Sequence, residues 1–126
     1  MSTAVDLDEL GRVMADYRFA YLMTVGNEAE PHAVAVVPSL VDGELLIHDP
    51  GSRTRSNALA RPTVSLVWPP TDVDEYSLIV DGAAGQGSDG LRIAPTRAVL
   101  HRPAPSPDGS GPCGSDCREI STPSTV

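Results

Sequence analysis

The order of apolar and polar positions divides the first hundred residues into one amphipathic segment and a series of short β-rich runs. Over residues 6–17, with Val5 just before them, Val5, Leu7, Leu10, Val13, Met14 and Tyr17 recur mostly at three- and four-residue steps. That period puts them on one stripe of a helix. Asp6 or Ser2 is available to cap its start, and Asp8 and Glu9 suit the positive end of the helix dipole. The period then shortens. Residues 18–25 are aromatic and β-rich, residues 26–30 break the run, and 31–40 form a second one. The turn Val41-Asp42-Gly43-Glu44 leads into a third run over 45–48. Asp-Gly between apolar runs is a hairpin signal.

Asp49-Pro50-Gly51 ends that third strand. Ser52 is placed to cap a second, short helix over 53–60, with Ala58 and Leu59 as its main apolar contacts and Pro62 closing it. Three more strands follow over 63–68, 76–84 and 91–101; Pro69-Pro70 stops the first, and 85–90 reads as a flexible hairpin loop between the other two. The sequence therefore predicts a mainly β fold. It has six antiparallel strands closing into a barrel, an N-terminal helix, and a short helix between the third and fourth strands. Closure favours this arrangement because it removes exposed strand edges. From Arg102 onward the chain is Pro, Ser, Gly and Asp with few apolar residues. The folded domain is expected over residues 1–102, with 103–126 a poorly ordered tail.

Composition narrows the partners. The formal net charge is −8, and all nine basic residues are Arg. An acidic chain lacks the basic face that general nucleic-acid binding needs. With only five aromatic residues and no basic-aromatic strand, it also lacks a stacking platform for single strands. No apolar run approaches the ~20 residues that span a bilayer. The first ten residues are acidic and have no secretory apolar core, so a cytoplasmic location is expected. Cys113 and Cys117 form CGSDC in the tail; in that compartment they are expected as two reduced thiols. His32, His48 and His101 are too scattered for a metal site, and none is expected.

The segment with the most chemistry is the junction Gly51-Ser52-Arg53-Thr54-Arg55-Ser56-Asn57. Two guanidiniums, three hydroxyls and an amide stand where a strand passes into a helix. Free N–H groups at a helix start attract anions, and Arg adds charge and paired donors suited to phosphate. On residues alone the alternative stays open that Arg53 and Arg55 are solvated helix-surface groups.

This junction and the run Arg61-Pro62-Thr63-Val64-Ser65-Leu66-Val67-Trp68 after the short helix resemble the FMN-binding split barrel of the pyridoxamine 5′-phosphate oxidase-like family. The resemblance covers roughly residues 10–101. It implies a six-stranded split β-barrel whose third strand and following Ser-Arg turn hold the ribityl-phosphate. By position this points to Ile47, His48, Ser52, Arg53 and Thr54, with Arg55 and Asn57 nearby on the helix. The second strand, with His32 and Val34, is implied to run beside the flavin ring and offer it backbone amides. A related branch of the family uses a deazaflavin instead of FMN. The resemblance further implies a flavin- or deazaflavin-dependent oxidoreductase acting on an unknown small molecule. It also implies a homodimer with the cofactor groove between subunits. The alternative is a non-catalytic flavin carrier, or a barrel that has lost its cofactor. Two departures bear on the choice. Thr54 stands where the oxidases carry a second basic residue, and the second strand has His32 where they contribute Arg and Lys. The oxidase's substrate-binding segment has no counterpart, so oxidation of pyridoxamine phosphate is not expected. Trp68, at a strand end, is expected on the barrel rim or against a partner.

Overall fold

Period-two alternation governs most of the chain. In the computed structural model, which describes residues 1–104, it produces eight strands. These are β1 (Ser2–Ala4), β2 (Ala20–Val25), β3 (Pro31–Val36), β4 (Ser39–Val41), β5 (Glu44–His48), β6 (Thr63–Trp68), β7 (Ser77–Gln86) and β8 (Gly90–His101). Two helices, α1 (Leu10–Met14) and α2 (Ser52–Ala60), complete the order. The strands form one antiparallel sheet in the order β3-β2-β6-β7-β8-β5-β4, with β1 added beside β8. β8 organises the curl. One of its edges pairs with β7 along its length, while the other takes β5 at its start and β1 at its end.

The inward side chains are Leu22 and Thr24 of β2, Leu45 and Ile47 of β5, Val64, Leu66 and Trp68 of β6, Leu78 and Val80 of β7, and Leu91 and Ile93 of β8. All are 3% exposed or less. Burying each Leu, Ile or Val contributes about 1.5–3 kcal/mol, so this face holds the sheet in its curl. Leu10 of α1 and Ala58 of α2 join the same core. Trp68 is part of that core too, 2% exposed, and not on the rim: the alternation of β6 turns it inward with Val64 and Leu66.

The mainly β class is as expected, but the strand count is eight where six were predicted. The predicted second strand over 31–40 is split after Val36, because Pro38 has no N–H to continue the ladder; β4 then pairs with β5. β1 carries no pattern that would announce it. Its three residues are all exposed, and it is held by backbone pairing to His101, Leu100 and Val99. Ser2 therefore belongs to a strand and caps no helix. The helix predicted over 6–17 is shorter, a 3₁₀ turn at Leu7–Glu9 followed by α1, and Asp6 makes no side-chain cap. The loop expected over 85–90 contracts to three residues, since β7 runs to Gln86 and β8 starts at Gly90. Pro95 is tolerated inside β8 because the register slips beside it, opposite Asp81 and Gly82.

The Asp42-Gly43 hairpin has the predicted form: φ is 52° at Asp42 and 81° at Gly43, the left-handed pair that matches strand twist. Gly51 enters α2 at φ 94°, a conformation open to glycine and costly for other residues. Among the described residues no helix is long and apolar enough to cross a membrane.

Candidate functional site

α2 decides where the junction residues go. Its buried side is Thr54, Asn57 and Ala58, at i, i+3 and i+4. Asn57 is 7% exposed and donates from Nδ2 to Thr24 Oγ1 at 3.2 Å, so the helix is tied to β2 by a buried polar pair. Thr54, 1% exposed, sits under the helix with the core. Arg53 is exposed, and Arg55 is half-buried on another side.

Along one flank of α2 runs a cleft of about 600 Å³, lined by Ser52, Arg53, Ser56, Asn57, Ala60 and Arg61, with Asn27 and Glu30 opposite. Arg53, Asn57 and Arg61 stand one helical turn apart, which aligns them on that flank. Arg61 Nε donates to the Val25 carbonyl at 2.6 Å, fixing the guanidinium at the end of β2. Glu30 is the cleft's carboxylate. Its carboxyl is held below the usual range, first by backbone N–H donors, including Glu28 N–H to Oε1 at 2.9 Å, then by the charges of Arg53 and Arg61. Two guanidiniums thus converge on one wall with a single carboxylate facing them. Such a cleft accepts an anion by charge-assisted hydrogen bonds in competition with Glu30.

The remaining predicted residues lie elsewhere. Ile47 and His48 line a separate cleft of about 390 Å³ with Phe19, Ala35, Val36, Val37, Asp49 and Pro50. There the end of β5 faces the end of β3. The Ile47 side chain points into the core, 2% exposed, while His48 is exposed and its Nδ1 meets Asp89 Oδ2 at 3.1 Å. His32 lines a third, mostly apolar concavity of about 470 Å³ on the outer face of β2, β3 and β6. Val34 is half-buried, its side chain packed on the core, so only its backbone is offered outward. Among the described residues β3 ends the sheet, and one of its edges has no strand partner. Ser52, Arg53 and Asn57 are therefore brought together; Ile47 and His48 form a second group, and His32 a third. Thr54 and Arg55 line none of these three clefts.

Sequence reasoning missed Arg61 and Glu30. The eight-residue step from Arg53 to Arg61 is the signal that would have found the first. Nothing local marks Glu30, which reaches the cleft only because the β2–β3 turn folds beside α2.

The comparisons with known proteins agree with this architecture. No protein-family profile matches the chain. Two uncharacterised proteins, from Mycobacterium tuberculosis and Mycobacterium bovis, are each 42% identical over an alignment 137 positions long, gaps included, covering 94% of this chain and 96% of theirs. Among solved structures, the FAD-binding protein from Mycobacterium smegmatis superposes with a TM-score of 0.60 at 18% identity, over 81% of this chain and 100% of its own. An F420 reductase gives 0.55 at 16%, over 64% and 87%. A candidate pyridoxamine 5′-phosphate oxidase from Listeria innocua gives 0.60 at 14%, over 75% and 96%. The chain belongs to one family with the two mycobacterial proteins, and its fold is the split barrel of the flavin-binding and pyridoxamine 5′-phosphate oxidase-like proteins.

Proposed function

We propose that this protein binds a flavin-type cofactor, FMN or a deazaflavin, and acts as an oxidoreductase on a small molecule. The observation that carries this reading is the α2 cleft, where Arg53, Asn57 and Arg61 gather at the junction from which a phosphate contact was expected. The residues present fit the anionic end of such a cofactor: two guanidiniums, the Ser52 and Ser56 hydroxyls, and a wall fixed by the buried Asn57–Thr24 bond and the Arg61–Val25 bond. The unpaired edge of β3 suits the rim of a flat ring, because its free backbone groups need partners. A bound flavin supplies the hydride or electron chemistry itself; the chain's part is to hold and orient it.

The site is completed by a second copy of the chain. Across the outer sheet face the register sets Ala35, Tyr21, Val67 and Ile79 in one row. Tyr21 remains 43% exposed there, with Phe19 edge-on to its ring at 5.2 Å. An apolar row of this kind is a surface for association. Light scattering at micromolar concentration should give twice the chain mass, and Tyr21→Arg should give a monomer.

The direct test is the visible spectrum of protein purified without refolding, with mass spectrometry of what it retains and titration with FMN, FAD and a deazaflavin. Binding of one of them at micromolar affinity supports the reading. No binding of any removes it. One observation favours the non-catalytic alternative: position 54, where the resemblance implies a second basic residue, is a threonine turned into the core. A protein that binds flavin yet does not speed electron transfer between any donor and acceptor beyond the free cofactor's own rate would be a carrier.

A further inference from the structure

A larger cleft, about 630 Å³, opens between the end of α1, the β6–β7 connection and the end of β8. It gathers three of the chain's five aromatic residues, Tyr17, Phe19 and Tyr76, and three of its nine arginines, Arg12, Arg18 and Arg102. Its walls are held in place. Tyr17 donates its hydroxyl to the Tyr76 carbonyl at 2.8 Å, and the Arg102 guanidinium lies 4.7 Å from the Tyr76 ring centroid. The Arg102 backbone is clamped to the chain start: its N–H donates to the Met1 carbonyl at 3.1 Å, and its carbonyl accepts from the Met1 amino group at 2.9 Å. Arg12 is engaged by Glu9 at 2.7 Å. Among the described residues, Arg18 and Arg102 have no carboxylate partner.

We propose that this cleft is a second ligand site, for a small planar aromatic acid with one negative charge. Aromatic rings with Pro69 and Pro70 give flat apolar walls for a ring, and a guanidinium matches a carboxylate with two parallel donors. A volume of this size is in the range of small-molecule sites. Asp16 and Glu75 limit the charge. Both line the cleft near Tyr17, whose hydroxyl is held protonated above its ordinary range, first by burial and then by these two carboxylates. A second negative group on the ligand would meet them. The site does not rest on the cofactor reading. The one residue it shares with the clefts described above is Phe19, which also borders the His48 cleft.

The test is calorimetric titration of the full chain with 2-naphthoate, and with 2-naphthalenemethanol as its uncharged counterpart. Naphthoate should bind at least about tenfold tighter than the alcohol, the low end of what one charge-assisted hydrogen bond contributes. Arg18→Gln and Arg102→Gln should each remove most of that difference, while Arg97→Gln, outside the cleft, should leave it intact. Arg102→Lys, which keeps the charge and loses the planar fork, should fall between. Because Arg102 also braces Tyr76, melting curves accompany each variant; Arg18, which is exposed, carries the test if Arg102→Gln unfolds. Equal affinity for acid and alcohol, no binding of naphthoate at millimolar concentration, or unchanged binding in Arg18→Gln would overturn the proposal.

Discussion

Arginine stands in both of the helix-flanked clefts, and its neighbours differ. Beside α2, Arg53 and Arg61 share a polar wall of serines and amides with Glu30 facing them. Beside α1, Arg18 and Arg102 stand among tyrosines, a phenylalanine and prolines. The same side chain therefore offers two kinds of recognition: bare charge and hydrogen bonding in one place, charge beside flat apolar surface in the other. The docking of the helices differs in the same sense. α1 is held by apolar burial, with Leu10 1% exposed, whereas α2 is held partly by the buried Asn57–Thr24 hydrogen bond. One cleft should then fail when packing is removed, the other when a hydrogen bond is.

The largest expected effect breaks the apolar side of this comparison. Leu10→Ala should destabilise the protein by about 2–5 kcal/mol, measured by urea unfolding, because the core cannot close over the space left. Well below the midpoint it should weaken binding in the α1 cleft and leave the α2 cleft intact. A loss under about 1 kcal/mol would mean that α1 is not anchored through the core.

The polar side should break at Asn57. Asn57→Ala leaves the Thr24 hydroxyl, itself 1% exposed, without its partner, and should cost about 1–3 kcal/mol. Combining Asn57→Ala with Thr24→Val should cost less than the sum of the two single changes. Strict additivity in that double-mutant cycle would show that the bond contributes nothing to holding α2.

The charges come next. Arg53→Ala should weaken flavin affinity by about ten- to a hundredfold, since charge-assisted hydrogen bonds contribute roughly 1.5–3 kcal/mol each. Arg61→Ala should give a similar loss, with Arg61→Lys used to separate charge from the Val25 bond. Arg55→Ala, on another side of α2, should change little. Negligible effects in both Arg53→Ala and Arg61→Ala would remove the anion site and leave only the barrel.

Much of the fold was legible because its signals are local. Period-two alternation, Asp42-Gly43 and Pro62 each act over a few residues, and the helix–strand order followed from them. The two extra strands were not legible. β1 is defined by what it pairs with, and β4 by a proline that splits an otherwise continuous apolar run. The site was legible only in part for the same reason. Ser52, Arg53 and Asn57 share one helix, so sequence spacing placed them together. Ile47 and His48 were grouped with them because the chain joins them, yet the turn at Asp49–Gly51 sends the strand and the helix to different clefts. Glu30 and Arg61 meet across thirty residues of chain, a distance that no local pattern spans.

The smallest expected effect sharpens the comparison at Glu30, whose carboxylate feels the cleft's own arginines, whereas Asp16 and Glu75 of the α1 cleft act on Tyr17. Its carboxylate lies within the field of both Arg53 and Arg61, so an incoming phosphate must compete with it. Glu30→Gln should tighten flavin binding by no more than about fivefold, because exposed charges are screened by water and salt. The gain should shrink further as ionic strength rises. The sign of its pH dependence follows from the lowered carboxyl. A depressed carboxyl stays ionised down through the usual carboxylate range, so its competition persists there and fades only as pH falls through the lowered value. Protonation of the cofactor's own phosphate affects both proteins alike, so the affinity ratio of Glu30→Gln to the unmodified chain isolates this one group. That ratio should stay constant from neutral pH down into mildly acidic solution and approach one only below the ordinary glutamate range. A ratio that collapses at higher pH would mean that the carboxylate is not held by its backbone donors. A ratio of one throughout would place the bound anion out of reach of Glu30.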